Sequence, residues 1–506
     1  MKILKLLQNR IFVSVTLILL QIILIFLFMQ FIFLDAKALR FCSMIISALV
    51  TLYIINKDDD DPNYKIIWLI PILVFPVFGG LLYLVFGNKK PAKKLQEAYR
   101  KQDQAIKPYR YFNEVHKTIS DEVVRGQVNY IVDEQFPVYK NSEVKYYSLG
   151  DNAFPDLLDE LEKAKYFIFM EYFIVEEGEM FNQVLEILKQ KVKEGVEVRF
   201  MYDDMGSLTM LPYHYYKKLE EYGIKCIAFN HVVPLLSIVM NNRDHRKITV
   251  IDGNVGFNGG FNLADEYINA KVKYGHWKDT GVMIKGEAVW NLTLMFLTTW
   301  NASLNQTEDY DRYHPRHYPL PDIKLSGYIL PYGDSPLDDK PVGKNVYLNI
   351  INQAQRYLYI YTPYLIINDE LKNALCLAVL RGVDVRIVTP GIPDKKTVFK
   401  VTRSYYEPLV LGGVKIYEYT PGFMHGKNFV CDDKIATVGT TNLDYRSLYL
   451  HFECGVYMYD VAAIKDIKED FLNTIELSKE ITYDDVVRGR FRGWFEAILR
   501  LFAPLL

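Results

Sequence analysis

The apolar residues of this chain form long uncharged runs near its beginning and short alternating runs after about residue 141. Residues 11–33 are an uncharged apolar run, residues 66–86 form a second one, and each is long enough to cross a bilayer. The stretch at about 41–55 is shorter and is bounded by Arg40 and Lys57, which is typical of a marginal span or a re-entrant piece. Residues 1–88 are therefore predicted to be a transmembrane region with two or three spans.

The lysines and arginines that flank these runs predict how the chain is oriented. If there are three spans and the C-terminal part is cytoplasmic, eight of the flanking basic residues lie inside and five lie outside. If there are two spans, both basic ends lie inside. Either count predicts a multi-pass protein of the cell membrane whose later domains are cytoplasmic. Residues 89–140 are charged and helix-prone, and we interpret them as a helical connector.

From residue 141 onward the pattern alternates between buried strands and amphipathic helices. In the first half, we predict helices at 154–164 and 181–194 and strands at 166–174 and 195–200. The second half repeats the order, with strands at 354–366 and 382–388 around a helix at 371–380. Such units indicate an α/β fold in which a mixed sheet is flanked by helices. We predict two pseudo-symmetric lobes at 141–320 and 321–482, joined by a loop at 305–321.

The last segment, residues 483–506, combines several arginines with apolar and aromatic residues, among them Trp494 and Phe495. This pattern predicts a basic amphipathic helix that lies on an anionic membrane surface. The alternative is a terminal helix that docks on its own domain.

Composition changes this picture little. The chain has 59 basic and 61 acidic residues, so no overall field favours nucleic acid as a partner. Its five cysteines are scattered and include no Cys-x-x-Cys pair, which argues against a disulfide framework or a cysteine zinc site.

The candidate chemistry lies in a motif, His-x-Lys-x4-Asp, that occurs twice. The copies start at His245 and His425, 425 − 245 = 180 residues apart, and a small-residue segment with an Asn follows each of them. Each copy predicts a β-hairpin that presents an imidazole and an ammonium on one face. The candidate catalytic residues are His245, Lys247, Asp252, His425, Lys427 and Asp432, and the candidate substrate-binding residues are Asn262 and Asn442.

The paired motifs resemble the HKD signatures of the phospholipase D superfamily, and residues 439–447 resemble the form found in bacterial cardiolipin synthases. This resemblance runs over nearly the whole chain. It implies two phospholipase D-like lobes and transfer of a phosphatidyl group between two phosphatidylglycerol molecules, giving cardiolipin and glycerol. It also implies a phosphohistidine intermediate with no metal and no cofactor. By resemblance His245 is the nucleophile and His425 the acid/base, while the pseudo-symmetry leaves the reverse assignment open.

Chemistry suggests separate roles for the acidic residues. Asp252 and Asp432 fall at the predicted hairpin turns, so we interpret them as mainly structural. A catalytic imidazole needs a carboxylate on its far nitrogen, and Asp279 and Glu453 are the better candidates. They follow the histidines of their own halves by 279 − 245 = 34 and 453 − 425 = 28 residues. We therefore expect Asp279 to orient His245 and Glu453 to orient His425.

Two rival hypotheses remain beside the synthase. One is a hydrolytic phospholipase D, a nuclease or another phosphatidyltransferase of the same superfamily; a nuclease is disfavoured because no basic strip interleaved with aromatics is found. The other is a non-catalytic membrane scaffold, which the presence of both His-Lys pairs argues against. The expected partners are phospholipids in a membrane, and a homo-oligomer is one of the assemblies left open.

Overall fold

The computed structural model describes residues 37–57, 61–75, 93–111, 114–232, 241–320, 327–487 and 499–505, with scattered positions between 19 and 87 and at 323. The predicted span at 11–33 lies mostly outside these residues. Among the described residues, none of the helices combines the length and the apolar character that crossing a membrane requires.

The first lobe is a seven-stranded mixed sheet in the order β1-β8-β6-β5-β2-β3-β4. Its strands are β1 (Ser142–Tyr147), β2 (Phe167–Tyr172), β3 (Glu197–Asp203), β4 (Lys225–Phe229), β5 (Ile248–Ile251), β6 (Val255–Gly259) and β8 (Gly281–Gly286), while β7 (His276–Lys278) lies outside the sheet. Its helices are Gly150–Lys163, Glu179–Lys193, Tyr215–Glu221 and Val289–Leu304.

The second lobe is an eight-stranded mixed sheet in the order β17-β12-β11-β10-β14-β15-β16-β9. Its strands are β9 (Tyr328–Asp334), β10 (Tyr357–Tyr361), β11 (Asp384–Pro390), β12 (Lys415–Tyr419), β14 (Asn428–Cys431), β15 (Ile435–Gly439), β16 (Glu453–Tyr459) and β17 (Ser478–Ile481), and β13 (Gly422–Met424) pairs only with β7. Its helices are Val342–Gln353, Asp369–Leu380, Lys396–Ser404, Tyr406–Leu411, Tyr445–Tyr449 and Ala463–Glu476.

The two sheets have the same topology, which confirms the predicted repeat. Each sheet contains three parallel strands, β2-β3-β4 or β10-β11-β12, which are followed by an antiparallel hairpin, β5-β6 or β14-β15. Two further antiparallel strands, β8 and β1 or β16 and β9, complete that side of the sheet. The second sheet differs by one added strand, β17, which pairs with β12. The central strands β2 and β10 are buried along their whole length, as expected where helices cover both faces of a sheet.

The connector between the N-terminal region and the lobes packs against both of them. Helix Lys93–Ile106 contacts the first-lobe helix Val289–Leu304, and helix Glu122–Asp133 contacts the second-lobe helix Val342–Gln353. Predicted as a helical linker, this segment therefore also bridges the lobes. Residues 305–320, the described part of the predicted lobe connector at 305–321, follow helix Val289–Leu304 and contain two short 3₁₀ turns, Tyr310–Tyr313 and Pro315–His317.

Two N-terminal helices are described, Lys37–Ile55 and Pro62–Val74. Asp61 is the N-cap of the second helix. Its carboxylate accepts a bond from the Asn63 backbone N–H and another from the Asn368 amide of the second lobe. At the other terminus, Tyr483–Val486 is one helical turn, residues 488–498 lie outside the described residues, and Leu501 packs against the N-terminal helices. The predicted amphipathic helix at 483–506 is thus only partly described, and its last residues dock on the protein.

Candidate active site

Each motif lies at the start of a β-hairpin, as its sequence predicts, and the Asp of each motif lies at the turn. Asp252 and Asp432 have positive φ values of 50° and 56°, which Asp tolerates better than most residues. The Asp252 carboxylate accepts from the backbone N–H groups of residues 165, 166 and 167 at 2.8–2.9 Å, and Asp432 makes the same three bonds to residues 355, 356 and 357. Each Asp therefore anchors its hairpin to the beginning of the neighbouring central strand.

This position separates the motif Asp from the motif His. Asp252 follows His245 by seven positions, and seven steps of extended chain correspond to roughly 20 Å. The structure thus places Asp252 and Asp432, two of the six candidate catalytic residues, at the far ends of their hairpins.

The two lobes meet through backbone pairing that crosses between them. Strand β7 of the first lobe runs parallel to β13 of the second, and the His425 N–H then donates to the Lys278 carbonyl at 2.7 Å. On the other side, Asp244 forms a parallel bridge with Phe452, and the His245 N–H donates to the Phe452 carbonyl at 2.9 Å. The segment before each motif histidine is therefore paired with the segment that carries the acidic residue of the opposite lobe.

The histidine–carboxylate partners are consequently exchanged relative to the sequence expectation. His245 Nδ1 lies 3.0 Å from both carboxylate oxygens of Glu453. His425 Nδ1 lies 2.5 Å from Asp279 Oδ2. The expectation that Asp279 orients His245 and that Glu453 orients His425 was wrong. The acids do hold the imidazoles, but each lobe holds the histidine of the other.

Burial and positive neighbours lower the pKa of both imidazoles. Burial, followed by the charges of Lys247 and Lys427, holds the pKa of His245 well below its ordinary value. Burial and Lys427 lower the pKa of His425 to about 4, although Asp279 opposes the shift. Because Nδ1 of each ring faces a carboxylate, Nε2 is the nitrogen left for a substrate.

The two lysines lie beside their histidines and are buried as well. Lys247 Nζ donates to the carbonyl oxygen of His245, and Lys427 Nζ donates to that of His425. Burial lowers the pKa of Lys247 to about 7 and that of Lys427 to about 8. Two ammonium groups that are short of solvation favour a bound anion, because an anion restores part of the lost solvation energy.

The two carboxylates differ in their electrostatics. Burial raises the pKa of Glu453 to about 7, although Lys247 opposes this shift and the Thr440 hydroxyl donates to the carboxylate. Burial also acts on Asp279, but Lys427 and His425 outweigh it and hold the pKa of Asp279 below its ordinary value. The pair His425–Asp279 is thus the better of the two at stabilising an imidazolium.

The two asparagines are buried near the site but differ in their contacts. Asn262 Oδ1 accepts from the Ile174 N–H at 2.9 Å, and its Nδ2 donates to the Tyr267 hydroxyl at 2.7 Å. Both ends of this amide are engaged by the protein, and Tyr267 packs against the His425 ring. Asn442 differs in that its Oδ1 is buried and has no hydrogen-bond partner within the part of the chain that the structure describes. Of the two predicted substrate-binding amides, Asn442 is therefore the one with an open acceptor.

A buried ionic cluster that was not predicted from the sequence surrounds the middle residue of the first motif. Arg246, the middle residue of His-x-Lys, lies 2.7 Å from Glu171 Oε1 and 3.0 Å from Asp244 Oδ1, and it also donates to the Thr299 hydroxyl. The equivalent position in the second motif is Gly426, so this cluster breaks the pseudo-symmetry. The sequence does contain a signal for this cluster, since Arg246 stands between His245 and Lys247 in a segment predicted to face inward. A buried charge at that position needs partners of opposite charge.

One group among the described residues could hold a metal ion. It consists of His245, His451 and Glu453, and one ligand atom of each lies within 4.8 Å of the others. The sequence did not indicate that His451 lies beside His245, because the two residues belong to different lobes.

Comparisons with known proteins agree with this architecture. Residues 157–289 and 347–475, one segment in each lobe, match the family described as Cardiolipin synthase, PLD-like domain. Residues 45–88 match the family described as Phospholipase D-nuclease N-terminal. The crystal structure of phosphatidylserine synthase from Haemophilus influenzae superposes with a TM-score of 0.54 at 14% identity, covering 76% of this chain and 98% of that one, which supports the fold.

Whole-length relatives are also found. An uncharacterized protein of Streptococcus mutans is 46% identical over 90% of this chain and 99% of its own length. The cardiolipin synthase of Alkalihalophilus pseudofirmus is 35% identical over 90% of this chain and 91% of its own length. Cardiolipin synthase 2 of Bacillus anthracis is 35% identical over 91% of this chain and 90% of its own length. The chain therefore belongs to the phospholipase D-like cardiolipin synthase family, a family of phosphatidyltransferases.

Proposed function

We propose that this protein is a cardiolipin synthase that transfers a phosphatidyl group from one phosphatidylglycerol to another and releases glycerol. The observation that carries the proposal is the pair of buried imidazoles, each held at Nδ1 by a carboxylate of the opposite lobe and each beside a buried lysine. Two relatives that are named cardiolipin synthase, each aligned with this chain over about nine-tenths of its own length, support the choice of substrate.

In the first step, Nε2 of neutral His245 attacks the phosphorus of the donor lipid. The bound phosphate anion offsets the charges of Lys247 and Lys427, so His425 enters this step as an imidazolium that Asp279 stabilises. The bond from phosphorus to the glycerol oxygen breaks, and the imidazolium gives that oxygen its Nε2 proton, so His425 becomes neutral and glycerol leaves as the neutral alcohol. Lys247 and Lys427 stabilise the charge that builds on the non-bridging oxygens. The product of this step is a phosphatidyl group bonded to His245.

In the second step, the proton moves in the opposite direction. His425, now neutral, takes the proton of the primary hydroxyl of a second phosphatidylglycerol as that oxygen attacks phosphorus. The phosphorus–nitrogen bond breaks, and the electron pair returns to Nε2 of His245. The products are cardiolipin and the starting state of the enzyme.

The unequal carboxylates support His245 as the nucleophile. An acid/base histidine must hold a proton before the first step and again after the second, and Asp279, whose pKa is held low, stabilises that imidazolium on His425. Glu453 has its pKa raised to about 7, so it offers less negative charge to His245. A nucleophile that works as the neutral imidazole needs this weaker partner.

We further propose that the N-terminal region holds the lobes at a lipid bilayer, with the catalytic lobes in the cytoplasm. The described helix Lys37–Ile55 exposes many large apolar side chains, and helix Pro62–Val74 exposes others; these are Phe41, Met44, Ile45, Ile46, Leu49, Leu52, Tyr53, Ile55, Ile66, Ile70, Leu73 and Val74. A surface with this much exposed apolar area suits contact with lipid.

The test is turnover by the purified full chain in mixed micelles that contain phosphatidylglycerol, with the lipid products identified by mass spectrometry. Cardiolipin and glycerol in equal amounts are expected, and His245→Ala and His425→Ala are each expected to abolish both. Phosphatidic acid as the main product would instead identify a hydrolytic phospholipase D. Activity should also survive treatment with a chelator.

The intermediate can be located directly. Acid-quenched enzyme should carry the phosphatidyl group on His245, as judged by peptide mapping with a phosphatidylglycerol labelled in the phosphate. An adduct on His425 would reverse the two roles.

A further inference from the structure

A third imidazole lies beside the proposed nucleophile and is not needed by the mechanism above. The ring of His451 is 5.7 Å from the ring of His245, centroid to centroid, and its Nδ1 is 3.9 Å from Glu453 Oε1. That distance is too long for a hydrogen bond. Both ring nitrogens of His451 are buried and have no hydrogen-bond partner among the described residues. An imidazole normally uses both nitrogens, so this side chain is arranged to meet a further group.

The position of His451 completes a set of metal ligands. One ligand atom each of His245, His451 and Glu453 lie within 4.8 Å of one another. Two imidazoles and one carboxylate form a donor set that Zn²⁺ takes, with a fourth position left for water. Donor atoms around tetrahedral Zn²⁺ lie about 3.3 Å apart, given bonds of about 2.0–2.1 Å. Closing the set therefore requires a movement of about 1–2 Å, which side-chain rotation can supply.

Among the described residues, the half of the site around His425 has no such set of ligands, although the two halves are otherwise alike. Trp277 lies two residues before Asp279 just as His451 lies two residues before Glu453, and its ring is 5.4 Å from that of His425. An indole offers a donor N–H and no lone pair to a metal ion. An ion that enters the pocket would therefore bind on the His245 side.

We propose that His245, His451 and Glu453 form a binding site for Zn²⁺ and that Zn²⁺ inhibits the enzyme by occupying the imidazole that attacks phosphorus. The inhibition rests on the proposed function, whereas the binding does not. Lys247 and Lys427 oppose a further positive charge in the same pocket, so the affinity should be lower than that of a structural zinc site. The site thus provides reversible inhibition by a free metal ion.

Binding is tested on the full chain in detergent after removal of metals, by titration with Zn²⁺ in competition with a chromophoric chelator. One Zn²⁺ per chain is expected, and His451→Asn should weaken binding at least tenfold. His276→Asn is the matched control, since His276 lies nearby on β7, bonds the Tyr419 hydroxyl and is outside the set. Equal affinity in wild type and His451→Asn, or no stoichiometric binding in wild type, overturns the proposal.

A second variant tests whether an equivalent zinc site can be created beside His425. Trp277→His places an imidazole beside His425 and Asp279, and it should raise the stoichiometry to two Zn²⁺ per chain. If this variant is unfolded by circular dichroism, the His451→Asn comparison decides. Co²⁺ in place of Zn²⁺ gives a spectroscopic check, because its visible absorption should appear in wild type and be lost in His451→Asn.

Inhibition is measured separately, against the metal-free rate of each variant. Zn²⁺ should inhibit wild type, and the concentration for half inhibition should rise at least tenfold in His451→Asn. If Zn²⁺ binds as expected but wild type makes no cardiolipin, the proposed function fails and the metal site stands. If Zn²⁺ inhibits wild type and His451→Asn equally, the inhibitory role of this site fails.

Discussion

At the scale of single residues, the two kinds of acidic side chain in and after the motif have separate tasks. Asp252 and Asp432 accept backbone N–H groups at the far ends of their hairpins, whereas Asp279 and Glu453 contact the imidazoles. The similarity of the two motifs to each other does not reveal this division, because the Asp within the motif is the one that the pattern emphasises. The geometry supports the interpretation of the motif Asp as structural.

The division predicts different outcomes for two conservative substitutions. Asp279→Asn keeps the shape of the side chain but removes the charge that stabilises the imidazolium of His425, so turnover should fall by about 10²–10³, less than the 10⁴ seen in a Ser-His-Asp triad. Asp252→Asn should change turnover little, but it replaces the oxygen that accepts from the part-buried Lys165 N–H with an NH₂ group and should cost about 1 kcal/mol of stability. Turnover and Tm are measured for both variants.

The contrary result is specific. Loss of turnover without loss of stability in Asp252→Asn, together with near-normal turnover in Asp279→Asn, would show that the roles have been interchanged.

The pH dependence provides a second residue-scale prediction, through Lys427. Its pKa is lowered by burial to about 8, so the charge that stabilises the transition state is lost above that pH, and kcat/KM should fall on the alkaline side. The effect on stability has the opposite sign. Between pH 8 and the ordinary lysine pKa the unfolded chain binds more protons than the folded one, so this group makes folding more favourable as pH rises.

Activity and Tm are therefore measured together from pH 6 to pH 10. Activity should fall on the alkaline side, whereas the deprotonation of Lys427 should not lower Tm over the same range. Lys427→Arg, which keeps its charge throughout the range, should remove the part of the alkaline loss near pH 8 and leave the part due to Lys247, whose pKa is lowered to about 7. An unchanged loss near pH 8 in Lys427→Arg would assign that loss to another group.

At the scale of secondary-structure elements, the segment that leads into β5 depends on a cluster that its counterpart before β14 lacks. Arg246 holds Glu171 of β2 and Asp244 in the first lobe, while Gly426 stands at the equivalent place in the second. Tyr99 of the connector helix Lys93–Ile106 bonds Thr299 and stacks on Phe452 at 5.0 Å. The connector thus reaches the residues next to both His245 and Glu453.

Removal of Arg246 should therefore destabilise the first lobe strongly. Arg246→Met leaves two buried carboxylates without a cation, and the loss of one partner of a buried ion pair costs about 3–5 kcal/mol. The matched control is Lys163→Met, since Lys163 pairs with Asp159 on the surface and should contribute less than about 1 kcal/mol. The measurement is Tm of the purified proteins, and similar Tm values for the two variants would contradict the prediction.

At the scale of the whole molecule, neither lobe contains a complete site. Each imidazole takes its carboxylate from the other lobe through the crossed pairing of β7 with β13 and of Asp244 with Phe452. The helices at Lys93–Ile106 and Glu122–Asp133 pack on different lobes and so help to fix their relative position. The site is complete within one chain.

A complementation experiment checks this conclusion. His245→Ala and His425→Ala chains are purified, mixed, and also co-expressed, and neither preparation should show more turnover than the separate variants. If lobes were exchanged between chains in a dimer, co-expression would restore about a quarter of the wild-type rate. Recovery at that level would show that the functional site is shared between two chains.

Much of the architecture follows from the sequence alone. The periodicity of two in the strands and the Asp-containing turns predict both hairpins, and the repeat of the strand–helix–strand order predicts two lobes with the same topology. The pairs His245–Lys247 and His425–Lys427 are predicted for the same reason. All of these depend on contacts between residues that are near in sequence, so local patterns are sufficient to indicate them.

The partners within the site were decided only by the tertiary structure. Sequence distance favoured Asp279 with His245, yet the bond that forms joins Asp279 to His425, 146 positions further along the chain. The reason is that the segments beside each histidine pair across the lobe interface, and no periodicity within one lobe carries information about that register. The same interface brings His451 of the second lobe beside His245 of the first. The chemistry of each side chain is local, whereas its partner is determined by the way in which two lobes pack.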